Sequence, residues 1–178
     1  GAISKLPNIV QSLGGSKPLI ITDKMMVQLG YIQQLQDLLS AAGLNADVFD
    51  GTEPEPTAAS IEAGLQCVLD NNYDVIIALG GGSPIDSAKA IAILGKHGGN
   101  IRDYKFPRQV NEVGIPIIAI PTTAGTGTEV TRFTIITDEK NDEKMLCVGI
   151  GFMPLAAIVD VNLTLSLPPR ITADTGIE

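Results

Sequence analysis

Residues 80–86, here called the glycine turn, form the part of this sequence best suited to bind an anion; they read Gly-Gly-Gly-Ser-Pro-Ile-Asp. Consecutive glycines carry no side chains, so their backbone N–H groups can approach a ligand closely. Ser83, Pro84 and Asp86 fit the cap, first and third positions of a helix, which predicts a helix with Ser83 as its N-cap. Unpaired N–H donors and the helix dipole favour a phosphate there. The alternative is a well-capped tight turn, although three glycines exceed what such a turn requires.

Residues 121–129, here called the threonine turn, read Pro-Thr-Thr-Ala-Gly-Thr-Gly-Thr-Glu. Four hydroxyl groups and two glycines can present small donors to a phosphate, a ribose or a carboxamide. Taken alone, the segment fits an ordinary Ser/Thr turn equally well. Both turns directly follow apolar runs, so both are predicted at the carboxyl ends of strands, where a bound anion is commonly a pyrophosphate.

The elements that must position these two turns alternate between strands and helices. Apolar runs predict four strands, at residues 19–22, 47–50, 75–79 and 115–120. Apolar residues at helical spacing predict the helices between them, over 32–42, 57–71 and 84–96. Beyond the threonine turn, the pattern predicts a β-hairpin within 131–150, a strand at 157–160 and a helix opening at 168–170. The sequence therefore predicts an α/β fold, a parallel sheet flanked by helices, in one domain over 1–178.

Composition and charge restrict the classes of function. Hydrophobic residues make up 44% of the chain and aromatic residues 4%, which suits parallel strands covered on both faces by helices. A net charge of −8 argues against non-specific binding to nucleic acid or an anionic membrane. Cys67 and Cys147 lack a CxxC motif and are predicted to be buried thiols, with a disulfide or zinc site as the alternative. Without a signal peptide or a membrane-spanning run, a cytoplasmic location is expected.

Neither common nucleotide-binding fingerprint is present, because the sequence has no GxGxxG and no glycine-rich loop followed by Lys-Ser or Lys-Thr. The sequence instead resembles the iron-containing (group III) alcohol dehydrogenases, through the motif GGGSPID and, about 40 residues later, the motif PTTAGTGTEVT. Three further segments occur in the same order as in that family: Ile-Thr-Asp-Lys at 21–24, Pro-Pro-Arg at 168–170 and the final Thr-Gly-Ile-Glu. Glycerol dehydrogenases and dehydroquinate synthases share the wider fold and are weaker matches.

The resemblance implies an N-terminal, dehydroquinate synthase-like α/β domain that binds a nicotinamide dinucleotide across its strand ends. It implies that the glycine turn holds the pyrophosphate and that the threonine turn lines the nicotinamide side. Lys144 would reach the nicotinamide ribose and Asp23 the adenosine ribose. The predicted cofactor-binding residues are Asp23, Gly81, Gly82, Ser83, Asp86, Thr122, Thr123, Thr126 and Lys144.

The choice between NAD and NADP depends on Asp23 in this interpretation. A carboxylate on the ribose 2′-hydroxyl favours NAD and repels the 2′-phosphate of NADP, so NAD is predicted and NADP remains possible. Asp47 and Asp50 are other candidates for the same role. Asp23 could also merely cap the following helix. Glu55 stands where the family often has Asn, so one adenosine contact departs from the family pattern.

The resemblance also implies Fe²⁺, bound in the family by one Asp and three His on an all-helical second domain. Glu178 matches the position of the Asp ligand and is the only predicted metal residue. His97, the single histidine, is predicted to cap a helix end at the surface rather than to bind metal. The sequence is therefore expected to lack the helical metal-binding domain, a complete iron site and iron-dependent turnover.

The predicted function is hydride transfer between NAD and a small primary alcohol or aldehyde, within an alcohol dehydrogenase-like oxidoreductase. The alternative is a non-catalytic dinucleotide-binding module or remnant. The segment at residues 1–6 resembles the part of the family that follows an opening strand, so an unpaired edge and a homo-oligomer are expected.

Overall fold

The computed structural model describes residues 1–177 as an α/β fold. Its strands are β1 Pro18–Ile21, β2 Asp47–Phe49, β3 Val75–Gly80, β4 Ile117–Pro121, β5 Phe133–Asp138, β6 Glu143–Val148 and β7 Ala156–Ala157. Its α-helices are α1 Leu6–Ser12, α2 Lys24–Gln28, α3 Tyr31–Ala41, α4 Ala58–Asn71, α5 Gly82–His97 and α6 Pro169–Ile177. Short 3-10 helices lie at Ala2–Lys5, Ile101–Tyr104, Thr128–Val130, Ile150–Phe152 and Val161–Leu163.

Five strands form one parallel sheet in the order β2-β1-β3-β4-β7, and β5 and β6 form a separate antiparallel hairpin. The predicted parallel sheet with flanking helices and the hairpin within 131–150 are both confirmed. The central strand β3 is buried along its whole length, as expected for a strand covered on both faces. One hydrophobic core joins the sheet to α4, α5 and the hairpin, and a second joins it to α1 and α3.

Several element boundaries differ from the sequence predictions. α5 begins at Gly82 and not at Pro84, with Gly81 rather than Ser83 as its N-cap. β7 has two residues where a strand was predicted at 157–160, because Asp160 turns the chain by capping the 3-10 helix at Val161–Leu163. The short helices α1 and α2 were not predicted, since neither spans enough turns to show a helical repeat of apolar residues.

The two cysteines are free thiols in different surroundings. Cys147 on β6 is buried, as predicted, whereas Cys67 on α4 is only partly buried. Burial raises the pKa of the Cys147 thiol to about 12. The reactive thiolate is therefore scarce at Cys147 near neutral pH.

We expect Cys147 to resist alkylation in the folded chain. The Cys67→Ser variant leaves Cys147 as the remaining thiol, so it should not react with Ellman's reagent at pH 8 until denaturant is added. The measurement is absorbance of the released thiolate before and after unfolding, with the wild-type chain as control. Rapid reaction of folded Cys67→Ser would show that the hairpin opens far more readily than its packing indicates.

No helix within residues 1–177 is both long enough and apolar enough to cross a membrane.

Candidate functional site

The carboxyl ends of four neighbouring strands meet at one edge of the sheet and carry the predicted site residues. Buried side-chain hydroxyls tie these ends together: Thr22 Oγ1 donates to the Leu79 carbonyl at 2.9 Å, and Thr52 Oγ1 donates to the Thr22 carbonyl at 2.7 Å. The Thr122 amide donates to the Gly80 carbonyl at 2.8 Å. These bonds hold the ends of β1, β3 and β4 in register, so their following loops lie side by side.

The glycine turn leaves the start of α5 without a side-chain cap. Gly80 has φ of +145°, which side chains rarely allow, and a Cβ there would lie 2.6 Å from Pro84 Cγ. Gly81 is the N-cap and has no side chain to accept from the first amides of the helix. The first turn of this 16-residue helix therefore presents its N–H groups and the positive end of its dipole to any bound anion.

The threonine turn lies directly opposite the glycine turn. A Cβ built at Gly81 would lie 3.3 Å from Thr123 Cγ2. One built at Gly82 would lie 3.4 Å from Thr128 Oγ1 and 3.5 Å from Thr126 Cγ2. The structure therefore brings the two sequence motifs together, and the absence of side chains at the glycines keeps a narrow polar space between them.

One hydroxyl in this space has no partner within the described part of the chain. Thr123 Oγ1 is buried and makes no hydrogen bond. A buried hydroxyl without a partner is costly, and most such groups are satisfied by a ligand or water. Thr122 is also buried, whereas Thr126 Oγ1 accepts a hydrogen bond from Thr128 Oγ1 at 3.2 Å. The unpartnered hydroxyl of Thr123 could therefore bind a polar group of a ligand.

Asp23 follows β1 and faces the same edge. Its Oδ1 accepts from the Met26 amide at 3.0 Å, so it caps α2. Its Oδ2 lies 3.5 Å from the position that a Cβ on Gly80 would take. The capping role weighed in the sequence analysis is thus present, and it leaves the second carboxylate oxygen beside the glycine turn.

A known family matches this arrangement. The family model for iron-containing alcohol dehydrogenases matches residues 1–161. The chain belongs to the iron-containing alcohol dehydrogenase family. The family predicted from the glycine and threonine turns is therefore confirmed.

Members of this family with the most similar sequences include a yeast enzyme and a bacterial enzyme. The chain is 38% identical over 178 residues to alcohol dehydrogenase 4 of Saccharomyces cerevisiae (strain YJM789), covering all of this chain and 47% of the relative. It is 38% identical over 180 residues to lactaldehyde reductase of Escherichia coli (strain K12), again covering all of this chain and 47% of the relative. The chain therefore spans about half the length of the curated relatives it matches.

A solved structure with a similar fold is sulfoacetaldehyde reductase from Bifidobacterium kashiwanohense in complex with NAD+. Its TM-score is 0.92 with 36% sequence identity, over 99% of this chain and 47% of that one.

Two of the predicted cofactor-binding residues, Lys144 and Asp86, have charged side chains of the protein as neighbours. Lys144 stands on the exposed face of the hairpin, where its Nζ lies 3.3 Å from Glu55 Oε2. Both side chains of that ion pair are largely exposed, so it contributes little stability. Asp86 is the fifth residue of α5, so the expectation that it occupies the third helical position is wrong. Its Oδ1 lies 3.8 Å from Lys89 Nζ.

Lys89 was missed by the sequence analysis. Its side chain is fully buried, and Nζ donates to Thr131 Oγ1 and to the Phe133 carbonyl, each at 2.9 Å. Burial lowers the pKa of Lys89 to about 8 and raises that of Asp86 to about 6, and their mutual attraction opposes both shifts. The sequence does contain a sign of this buried lysine, because residues 88–94 of the predicted helix are apolar apart from Lys89.

Residues 1–177 contain no group of three or more His, Cys, Asp or Glu side chains that could hold a metal ion, so by themselves they do not fit iron. The predicted ligand position, Glu178, lies outside the described residues. His97 ends α5 at the surface, with Nε2 2.9 Å from the Val113 carbonyl oxygen, in agreement with its predicted place at a helix end.

Proposed function

We propose that this chain binds a nicotinamide dinucleotide across the carboxyl ends of β1, β3 and β4, with NAD preferred over NADP. The observation that carries the proposal is the uncapped N-terminus of α5, which lies directly opposite the threonine turn at the strand ends. In open parallel sheets, ligands bind in the crevice outside the carboxyl ends of the strands. The NAD+ complex of a family member with the same fold supports the choice of ligand.

The pyrophosphate is assigned to the glycine turn. Gly82 and Ser83 are the first residues of α5, and no side chain caps their amides. Gly81 and Gly82 have no Cβ to hold a ligand away from these donors. A diphosphate bound there would accept hydrogen bonds from the amides and lie at the positive end of the α5 dipole.

The nicotinamide half is assigned to the threonine turn. Thr122, Thr123 and Thr126 provide hydroxyls next to the glycine turn, and the hydroxyl of Thr123 has no protein partner in the described chain. Hydroxyls both donate and accept, so they match a carboxamide or a ribose. Fixing the ring in one orientation is the main contribution a protein makes to hydride transfer, because the cofactor supplies the reactive carbon.

The proposed reaction is hydride transfer between the nicotinamide and a small primary alcohol or its aldehyde. Family relatives named lactaldehyde reductase and sulfoacetaldehyde reductase support this substrate class. The residues described here bind and orient the dinucleotide, and we assign none of them as the proton donor or as a metal ligand.

Calorimetric titration tests the proposal. The chain should bind NAD+ with one site and at least about tenfold more tightly than NADP+, which corresponds to about 1.4 kcal/mol. Formation of NADH with primary alcohols in the presence of iron tests the hydride transfer separately. Binding without NADH formation is expected of this chain, because residues 1–177 do not fit iron by themselves. NADH formation would contradict that expectation, and failure to bind either cofactor would refute the proposal.

Replacing Thr123 with valine should weaken NAD+ binding by about three- to tenfold, the effect expected for one hydrogen bond. The free energy of unfolding should stay unchanged or rise slightly, because valine has nearly the same shape and removes a buried hydroxyl that has no protein partner. Titration and thermal unfolding give the two quantities.

Thr134→Val is the matched control for stability, since Thr134 Oγ1 is bonded to the Asp86 carbonyl at 3.0 Å. That change should lower the free energy of unfolding by about 1 kcal/mol. If the two variants were destabilised equally, or if Thr123→Val bound NAD+ as the wild-type chain does, the assignment of Thr123 to the cofactor site would be wrong.

A further inference from the structure

Lys89 is a buried cation that contacts Asp86 of the glycine turn and the segment that follows the threonine turn. Lys89 lies on α5, two helical turns after the first residue of that helix, Gly82, and its side chain has no exposed surface. A buried ammonium is unfavourable unless its donors are paired. Among the buried and otherwise apolar residues 88–94 of this helix, the charge of Lys89 therefore requires polar partners.

The contacts of Lys89 join α5 to the segment that follows the threonine turn. Nζ donates to Thr131 Oγ1 and to the carbonyl of Phe133, each at 2.9 Å. Asp86 Oδ1 lies 3.8 Å from Nζ, beyond hydrogen-bond distance, and that oxygen is buried without a hydrogen-bond partner in the described chain. Two of the three donors of the ammonium are therefore hydrogen-bonded, and the carboxylate of Asp86 offsets its charge as an ion pair.

The same contacts continue to the threonine turn itself. Thr131 Oγ1 donates to the Thr128 carbonyl at 3.3 Å, and Thr128 Oγ1 donates to Thr126 Oγ1 at 3.2 Å. Thr128 Oγ1 in turn lies 3.4 Å from the position of a Cβ on Gly82. A continuous set of polar contacts therefore runs from Lys89 to the face that the threonine turn presents to the start of α5.

We propose that Lys89 is a positioning residue, which with Asp86 and Thr131 fixes the threonine turn against α5 so that the nicotinamide half of the dinucleotide binds in one orientation. The inference rests on the proposed function. It gives Asp86 a role different from that predicted from the sequence, because Asp86 then holds Lys89 rather than the cofactor.

The test compares two ligands that differ only in the nicotinamide. NAD+ carries the ring, and ADP-ribose lacks it while keeping the adenosine and the pyrophosphate. Lys89→Met keeps the volume of the side chain and removes its donors. It should weaken NAD+ binding about tenfold, or about 1.4 kcal/mol, while ADP-ribose binding changes less than about twofold. Lys96→Met makes the same change at an exposed site on the same helix and should affect neither ligand.

A purely structural role for Lys89 would give a different result. A general loss of stability would lower the unfolding temperature and weaken the binding of NAD+ and ADP-ribose in the same proportion, and that outcome would overturn the inference. Unchanged NAD+ binding would overturn it as well. Failure of the wild-type chain to bind NAD+ would instead overturn the proposed function itself.

Variants of Thr131 test the inference if Lys89→Met does not fold. Thr131→Val removes the hydroxyl that accepts from Lys89 and should weaken NAD+ selectively, about threefold or more. Thr131→Ser keeps the hydroxyl and should restore binding to the wild-type value. Equal behaviour of the valine and serine variants would also overturn the inference.

Discussion

Replacing Gly82 with aspartate should weaken NAD+ binding by at least about 100-fold, or about 2.7 kcal/mol, without lowering the stability of the chain. The new carboxylate would stand at the first position of α5, where the proposal places the pyrophosphate, and like charges would repel across a short distance. A carboxylate in the first turn of a helix is itself favourable, so the unfolding temperature should remain the same or rise. Calorimetric titration with NAD+ and thermal unfolding measure both effects.

Gly82→Ala is the matched control, because it adds a Cβ without a charge. That Cβ would lie at ordinary contact distance from Thr128 Oγ1 and Thr126 Cγ2, at 3.4 and 3.5 Å, so the fold should tolerate it. The loss of NAD+ affinity should be smaller, about tenfold, because the methyl group occupies space but repels no anion. If alanine and aspartate weakened binding equally, the effect would be steric and the assignment of the pyrophosphate to this helix start would be wrong.

Replacing Asp23 with serine should shift the ratio of NAD+ to NADP+ affinity by about 10- to 100-fold toward NADP+. A carboxylate and a phosphate a few ångströms apart near a protein surface repel by about 1–3 kcal/mol, which serine removes. Serine is also a good N-cap, so it can replace Asp23 Oδ1 as the acceptor for the Met26 amide. Stability should therefore change little.

Asp23→Ala separates the two roles of this carboxylate. It should shift cofactor preference as serine does, but it should also lower the free energy of unfolding by about 1 kcal/mol through loss of the α2 cap. The measurements are titrations with both cofactors and denaturant unfolding of each variant. An unchanged cofactor ratio in both variants would reduce Asp23 to a helix cap, and one of the other carboxylates near β2 would have to be tested in its place.

Local sequence patterns predicted the elements that carry the two turns. The continuous apolar run of β3 and the glycines after it, the capping residue Thr57 of α4 and the hairpin within 131–150 all express short-range preferences. The paired motifs at 80–86 and 121–129 were enough to identify the family, since each motif is contiguous and their order is specific. Nothing in these features depends on distant residues.

The positions of individual side chains depended on parts of the chain that are far apart. Parallel pairing of β1 with β3 brings Asp23 to the glycine turn, and pairing of β3 with β4 sets the threonine turn opposite Gly81. The N-cap of α5 is Gly81 and not the predicted Ser83, and it follows Gly80, whose φ of +145° is open to glycine but rarely to other residues.

The burial of Lys89 depends on residues 131–133, which pack against α5 from a distant part of the sequence. In the sequence, Lys89 is one polar residue on an apolar helix, and such residues are usually exposed. In the structure its ammonium donates to Thr131, 42 residues away, and to Phe133, the first residue of β5, 44 residues away. Local sequence patterns predicted the segments to which we assign the cofactor, whereas the packing of distant strands set the contacts of individual side chains, because long-range pairing has no local signature.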